Sequence, residues 1–373
     1  MLNFQEKNFI SIKNIGIIGL GLIGGSLAKT IRFKNLPINI YAYDADVDTL
    51  KEAKDEGIID DYFDDINSRF QELDIIFLCA PVQYNNEVLS ILKNCISDTT
   101  ILTDVGSVKG MIHSSIIEMD LEKYFIGGHP MAGSEKSGYN ASTNILLENA
   151  YYVLTPTSSV SEDKIKKLYD LVEAFGSIPV IINWEDHDYA TAAISHVPHI
   201  IASSLVNLVK LLDDKGLMKQ LAAGGFKDLT RIASSSPSLW KQITLSNKDK
   251  ILQIISEYIK ILEQFKVMLD TDDTNYIFNF FDEANDYRSE FLDPSLGSIK
   301  KSYEIMVDIP DELGIIAKIA TLLSNHNISI KNIGIVHNRE YEQGVLKIVF
   351  YDEKSQLKSI DILKLLNYTI YLR

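Results

Sequence analysis

The chain has 373 residues, 46% hydrophobic and 23% charged, with a formal net charge of −15. That length suits two or three domains, and the acidic balance argues against nucleic-acid binding, which relies on lysine and arginine to neutralise phosphates. Two cysteines, Cys79 and Cys95, allow no disulfide framework beyond one bond, so a reducing, cytoplasmic compartment is expected; there is no signal-peptide pattern at the start and no apolar run approaching the ~18 residues of a membrane span.

Residues 15–110 alternate short apolar runs with helical patterns. IGIIGLG (15–21) reads as a buried strand ending in glycine and LIGGSLAKTIRF (22–33) as a helix. INIYAYDAD (38–46) predicts a second strand with an acidic end, and VDTLKEAKDEG (47–57) a helix stopped by Gly57. DIIFLCAP (74–81) predicts a third strand, NEVLSILKNC (86–95) a helix and TILTDVGS (100–107) a fourth strand. This alternation implies an α/β, Rossmann-type doubly wound parallel sheet. AYYVLTP (150–156) and SIPVIIN (177–183) predict later strands of the same sheet, with a helix at 161–175 between them. Residues 185–292 then read as helix after helix, DPSLGSIKKS (293–302) as a linker, and the remainder as strand, helix, strand, strand, helix. The expected domains are 1–183, 184–297 and 298–373.

Gly19-Leu20-Gly21-Leu22-Ile23-Gly24 matches G-x-G-x-x-G between a strand and a helix, the context that gives the motif meaning. The first glycine makes the turn, the second lets backbone approach a pyrophosphate, and the third allows close helix–sheet packing. Asp44 follows at the end of the second strand, where a carboxylate binds a ribose 2′-hydroxyl and repels a 2′-phosphate. NAD is therefore the expected cofactor.

Residues 127–142, GGHPMAGSEKSGYNAS, hold a lone histidine among small and polar residues, beyond the fourth strand where open α/β sheets place ligands. A neutral imidazole there suits a base that takes a hydroxyl proton as hydride leaves carbon, which makes His129 the candidate. His196 and His199 offer a shared helix face, but no third ligand accompanies them and Pro198 interrupts the helix, so no metal is expected. Arg231, in GGFKDLTR (224–231), presents a planar fork suited to a carboxylate. The apolar helices at 251–268 carry more surface than one subunit covers, which favours a homodimer through the helical domain.

GLGLIGGSLA (19–28), DVGSVKG (104–110), GGHPMAGSEKSG (127–138), SHVPH (195–199), GGFKDLTRIASSSPSLW (224–240) and IPDELGIIAKIATLL (309–323) together resemble the prephenate dehydrogenase family of tyrosine biosynthesis, followed by an ACT regulatory domain of ferredoxin-like α+β fold. The resemblance implies NAD-dependent oxidative decarboxylation of prephenate to 4-hydroxyphenylpyruvate. It places the catalytic histidine at His129, the serine beside it and the nicotinamide at Ser107, and a second active-site histidine at His196. It places the substrate-binding arginine at Arg231, polar pocket or gating residues at Ser134 and Glu135, and, at Trp240, a tryptophan near the site supplied by either this subunit or its partner. In the ACT domain it points to Asp311, Glu312, Leu313 and Gly314, with Asn332 on the following strand, as the site of an amino acid, expected to be tyrosine acting as feedback inhibitor. Alternatives are an arogenate dehydrogenase, a two-domain 3-hydroxy acid dehydrogenase using Lys227, and a non-catalytic sensor of NAD and an amino acid.

Overall fold

The computed structural model describes residues 12–133, 136–290, 303–310, 312–336, 344–366 and 368–372. It divides into two compact units, Met1–Leu262 and Glu263–Arg373.

The first unit is built on five parallel strands, β1 (Asn14–Ile18), β2 (Asn39–Tyr43), β3 (Asp61–Tyr62), β4 (Ile75–Leu78) and β5 (Ile101–Asp104), in the order β3-β2-β1-β4-β5. Strand β4 is buried along its whole length, and its residues alternate between two cores. Ile75 and Phe77 pack with helices α1 (Leu22–Phe33), α2 (Val47–Asp55) and α5 (Glu162–Ala174), whereas Ile76 and Leu78 pack with α3 (Asn85–Leu92) and α4 (Gly110–Glu118). Burial on both faces explains why β4 reads as an unbroken apolar run. Leu27 and Ile31 of α1 are fully buried, each contributing roughly 1.5–3 kcal/mol. Helix α2 starts where Asp46 accepts from the backbone N–H of Asp48 and Thr49, and α5 where Ser161 accepts from Lys164.

The strands expected to extend this sheet do not. β6 (Ile126–Pro130), β7 (Tyr151–Pro156) and β8 (Ile178–Ile181) form a separate three-stranded sheet, with β6 antiparallel to β7 and β7 parallel to β8. Among the described residues, a parallel bridge from Leu102 of β5 to Phe125, just ahead of β6, ties the two sheets together. The stretch containing His129, given no element by the sequence pattern, is thus partly a strand.

Helices α6 (Trp184–Thr191) and α7 (Val197–Leu212) join through a π-helical turn, Ala192–His196, into a continuous 29-residue helical stretch from Trp184 to Leu212. Pro198 does not break it: it falls in the first turn of α7, where its missing N–H costs least. By length and composition this stretch could cross a membrane, which the sequence did not lead one to expect. Its buried His187, Asp188 and His196 nevertheless find hydrogen-bond partners within the protein. Helices α8 (Leu217–Leu221), α9 (Gly224–Thr230), α10 (Pro237–Ser246) and α11 (Lys248–Asp270) follow. α11 buries only Ile251 and exposes Leu252, Ile259, Ile261 and Leu262, while α7 exposes Leu208, Leu211 and Leu212.

The second unit holds the end of α11, α12 (Thr274–Glu290), and β9 (Tyr303–Ile309), α13 (Ile315–Asn325), β10 (Ile330–Val336), β11 (Gly344–Phe350), α14 (Glu353–Leu365) and β12 (Ile370–Leu372). Its antiparallel sheet runs β10-β11-β9-β12, the split βαβ arrangement, with one strand more than the sequence pattern disclosed.

Candidate active site

Where β1 and β4 part, the chain after each strand turns to opposite sides, and the crevice beyond their carboxyl ends is the usual ligand position of such sheets. A cavity of about 1020 Å³ lies there. Gly19, Gly21, Leu22 and Asp44 line it on one side, Asp104 and Ser107 on another, with Lys136 and Ser236 also at its wall. The glycine turn has a steric cause. A Cβ at Gly24 would sit 2.1 Å from the Gly19 carbonyl oxygen, so α1 can leave β1 this closely only if residue 24 has no side chain. Gly24 and Ile23 do not line the cavity; Ile23 packs on the sheet core. The Asp44 carboxylate accepts from the backbone N–H of Leu20 (2.6 Å) and of Asp46 (2.9 Å), which ties the end of β2 to the turn. A glycine turn at a helix N-terminus, a carboxylate at the end of β2 and a cavity of this size fit a dinucleotide.

Strand β6 carries His129 into a buried position. It passes so near β5 that a Cβ at Gly128 would lie 2.5 Å from the Asp104 carbonyl oxygen. Lys109, fully buried, donates to Asp104 and to the Gly128 carbonyl (2.6 Å), and Asp104 accepts from Gly106 N–H (2.9 Å) and Gly128 N–H (3.1 Å). One ion pair therefore fixes both the loop bearing Ser107 and the strand bearing His129. Burial pushes the Lys109 pKa down, against the pull of Asp104.

His129 Nδ1 lies 2.8 Å from Nε2 of His187, whose Nδ1 lies 2.8 Å from Asp188 Oδ1. Asp188 also accepts from the backbone N–H groups of Lys109 and Gly110, both at 2.8 Å, capping α4 from α6. The Asn247 amide donates to the Asp188 carbonyl (2.7 Å) and to His196 Nδ1 (3.1 Å), so His196 carries its proton on Nε2. Trp240 stacks on His199 at 3.7 Å and meets His196 edge-on. His129, His196 and Trp240, scattered through the sequence, thus belong to one network in which Asp104, Lys109, His187, Asp188 and Asn247 are partners that sequence reasoning did not single out. The adjacent His187-Asp188 pair and the Asp104/Lys109 spacing were the available signals.

Burial, followed by the neighbouring charges of His187, Lys109 and His196, holds the His129 pKa well below the usual histidine value. Burial likewise takes His196 to about 4, and His113, which contacts Thr155, to about 4. All three rings are neutral at physiological pH, and a neutral ring can accept a proton.

Arg231 is exposed at the end of α9, in the turn that packs on α7. Ser134, Glu135 and Asp311 lie outside the described residues. Glu312 and Leu313 are exposed, Gly314 takes φ +81° at the start of α13, and Asn332 is exposed on β10. Among the described residues no histidine, cysteine or acidic cluster could hold a metal, and both cysteines are free.

Residues 27–180 match the family described as prephenate dehydrogenase, nucleotide-binding domain, and residues 183–283 the prephenate dehydrogenase dimerization domain. Prephenate dehydrogenase of Bacillus subtilis (strain 168) is 37% identical over 346 residues, 92% of this chain and 93% of that protein. Among solved structures, prephenate dehydrogenase from A. aeolicus in complex with hydroxyphenyl propionate and NAD+ superposes with a TM-score of 0.70 at 32% identity, covering 76% of this chain and 99% of that one. Synechocystis arogenate dehydrogenase gives 0.69 at 30% identity, with 74% and 99% coverage.

Proposed function

The chain belongs to the prephenate dehydrogenase family and is an NAD-dependent oxidoreductase, and on that premise we propose that it converts prephenate to 4-hydroxyphenylpyruvate with the division of labour that follows. The observation that carries this reading is the hydrogen-bonded path from His129 to His196, joined through Lys109 and Asp104 to the wall of the dinucleotide-sized cavity.

NAD, when bound, supplies the hydride acceptor; Gly19, Gly21, Leu22 and Asp44 would hold it, with Ile23 and Gly24 shaping the turn. His129 takes the proton of the C4 hydroxyl as hydride leaves C4. The C1 carboxylate departs as CO2, its electron pair entering the ring, and His129 returns the proton to the phenolic oxygen. Prephenate and NAD+ thus give 4-hydroxyphenylpyruvate, CO2 and NADH with charge conserved. Aromatisation makes the reaction one-way, so the protein's share is orientation and proton handling. Ser107, at the cavity wall, is assigned to orienting both the hydroxyl and the nicotinamide. Arg231 binds a substrate carboxylate from the helical side. Because the departing carboxylate loses its charge in the transition state, such an ion pair serves binding more than rate. His196, an Nε2–H donor, and Trp240, packed against it, are assigned to the substrate side of the site, with Ser134 and Glu135 assigned to its mouth.

A second reading, arogenate as substrate, is favoured by the near-equal match to the Synechocystis enzyme. Comparing kcat/KM for prephenate and arogenate decides between them; failure to turn over either one removes both.

The three-domain division at 183/184 and 297/298 belongs to this reading. The exposed apolar faces of α7 and α11 support a homodimer, and the free cysteines a cytoplasmic setting. The split βαβ unit at the C-terminus supports an ACT domain in which residues 311–314 and Asn332 hold tyrosine, an effector acting through its differential affinity for two arrangements of the enzyme. Removing residues 299–373 should leave turnover and abolish tyrosine inhibition; a full-length enzyme indifferent to tyrosine would contradict the regulatory part alone.

A further inference from the structure

We propose that His187 and Asp188 are positioning residues: they hold His129 as its Nδ1–H tautomer and so leave its Nε2 lone pair available as the base. The inference rests on His129 being the base of the reaction above.

The direction of every hydrogen bond follows from one end of the chain. Asp188 is an acceptor only, and it is anchored, because Lys109 N–H reaches its Oδ1 and Gly110 N–H its Oδ2, both at 2.8 Å. His187 Nδ1, 2.8 Å from that same Oδ1, must therefore carry a hydrogen. In a neutral ring this leaves His187 Nε2 as an acceptor. His129 Nδ1, 2.8 Å away, must then donate, and the remaining nitrogen of His129 is left unprotonated. The two rings meet edge-on, with centroids 5.0 Å apart and planes at 77°. His187 and Asp188 are almost fully buried, so water does not compete for these contacts.

The same chain serves the chemistry. As His129 Nε2 takes the substrate proton, positive charge spreads over the ring and strengthens the bond from Nδ1–H to His187, which Asp188 polarises. No second proton need move. The other charged or titratable groups facing His129 are Lys109, already paired with Asp104, and His196, held neutral on Nδ1 by Asn247. Capping α4 would require only Asp188. It gives no reason for an imidazole at 187, so the two roles can be separated.

The test uses the full-length protein labelled with 15N-histidine. Seven histidines make the ring nitrogens assignable, His129 by its disappearance in His129→Asn. The expected pattern is a protonated Nδ1 and bare Nε2 on both His129 and His187. A proton on His129 Nε2, or a doubly protonated His187, overturns the proposal, and this arm needs no variant of 187 or 188 to fold. In the kinetic arm, His187→Leu removes the acceptor and should lower kcat by about 10²–10⁴-fold, the worth of a positioned base, with KM for prephenate and the NAD Kd unchanged. His187→Gln keeps a carbonyl acceptor and should recover part of that loss. Wild-type kcat in His187→Leu, or equal impairment of both variants, contradicts it. If the wild-type enzyme turns over no prephenate, the reaction assignment fails while the ring spectra still decide the tautomer.

Discussion

Replacing Lys109 by methionine removes one ammonium group at little change in volume. Lys109 is 0% exposed and its partner Asp104 3% exposed. In the variant, Asp104 would keep the N–H groups of Gly106 and Gly128 but no cation, and the Gly128 carbonyl would lose its donor. Removing one partner of a buried pair costs about 3–5 kcal/mol, because the other charge is stranded. The two backbone donors that remain to Asp104 place the expected loss near the lower end, ~3 kcal/mol. Adding Asp104→Asn removes the stranded charge, so the double variant should regain on the order of 1–3 kcal/mol relative to Lys109→Met. Urea unfolding at neutral pH measures both. Because the pair also holds the Ser107 loop and strand β6, kcat should fall under conditions where the variant is fully folded. A loss under about 1 kcal/mol, the worth of a solvent-exposed pair, would refute the reasoning, as would a double variant no more stable than the single.

Arg231→Ala should raise KM for prephenate far more than it lowers kcat, and His129→Asn should do the reverse while NAD still binds; steady-state kinetics with calorimetric NAD titration reads both. Asp44→Asn removes the charged acceptor at the end of β2. It should weaken NAD by about 10–100-fold, the worth of a hydrogen bond to a charged group, and narrow the preference over NADP. The depressed pKa values of His129, His196 and His113 make no difference to stability above their unfolded value of 6.5. Below it the unfolded chain takes up protons that the native protein refuses, so stability falls with pH, by at most ~1.4 kcal/mol per pH unit for each ring. Urea midpoints that stay level from neutral pH down to about pH 5 would contradict this.

The β1–turn–α1 segment was legible because its glycines answer a local steric demand, visible in the contact between Gly24 and the Gly19 carbonyl. The placement of 150–156 and 177–183 was not. An apolar run announces a strand but not its partner, and here β7 pairs with β6 and β8 instead of continuing the parallel sheet. Gly127 and Gly128 stood out as small residues beside a lone histidine beyond the fourth strand, yet Gly128 is small because β5 runs against it. His129 was found through its unusual setting, whereas His187 lay within an ordinary helical pattern. Its significance comes from being folded against β6, a contact across 58 residues of sequence that no periodicity encodes. The same holds for Asn247, which reaches His196 from 51 residues away.

The most direct test of the account is to mix the purified protein with prephenate and NAD and follow NADH absorbance and released CO2 together. One CO2 for each NADH, with 4-hydroxyphenylpyruvate as the product, is the predicted outcome. NADH without CO2, or neither, would contradict the assignment of this site to an oxidative decarboxylation.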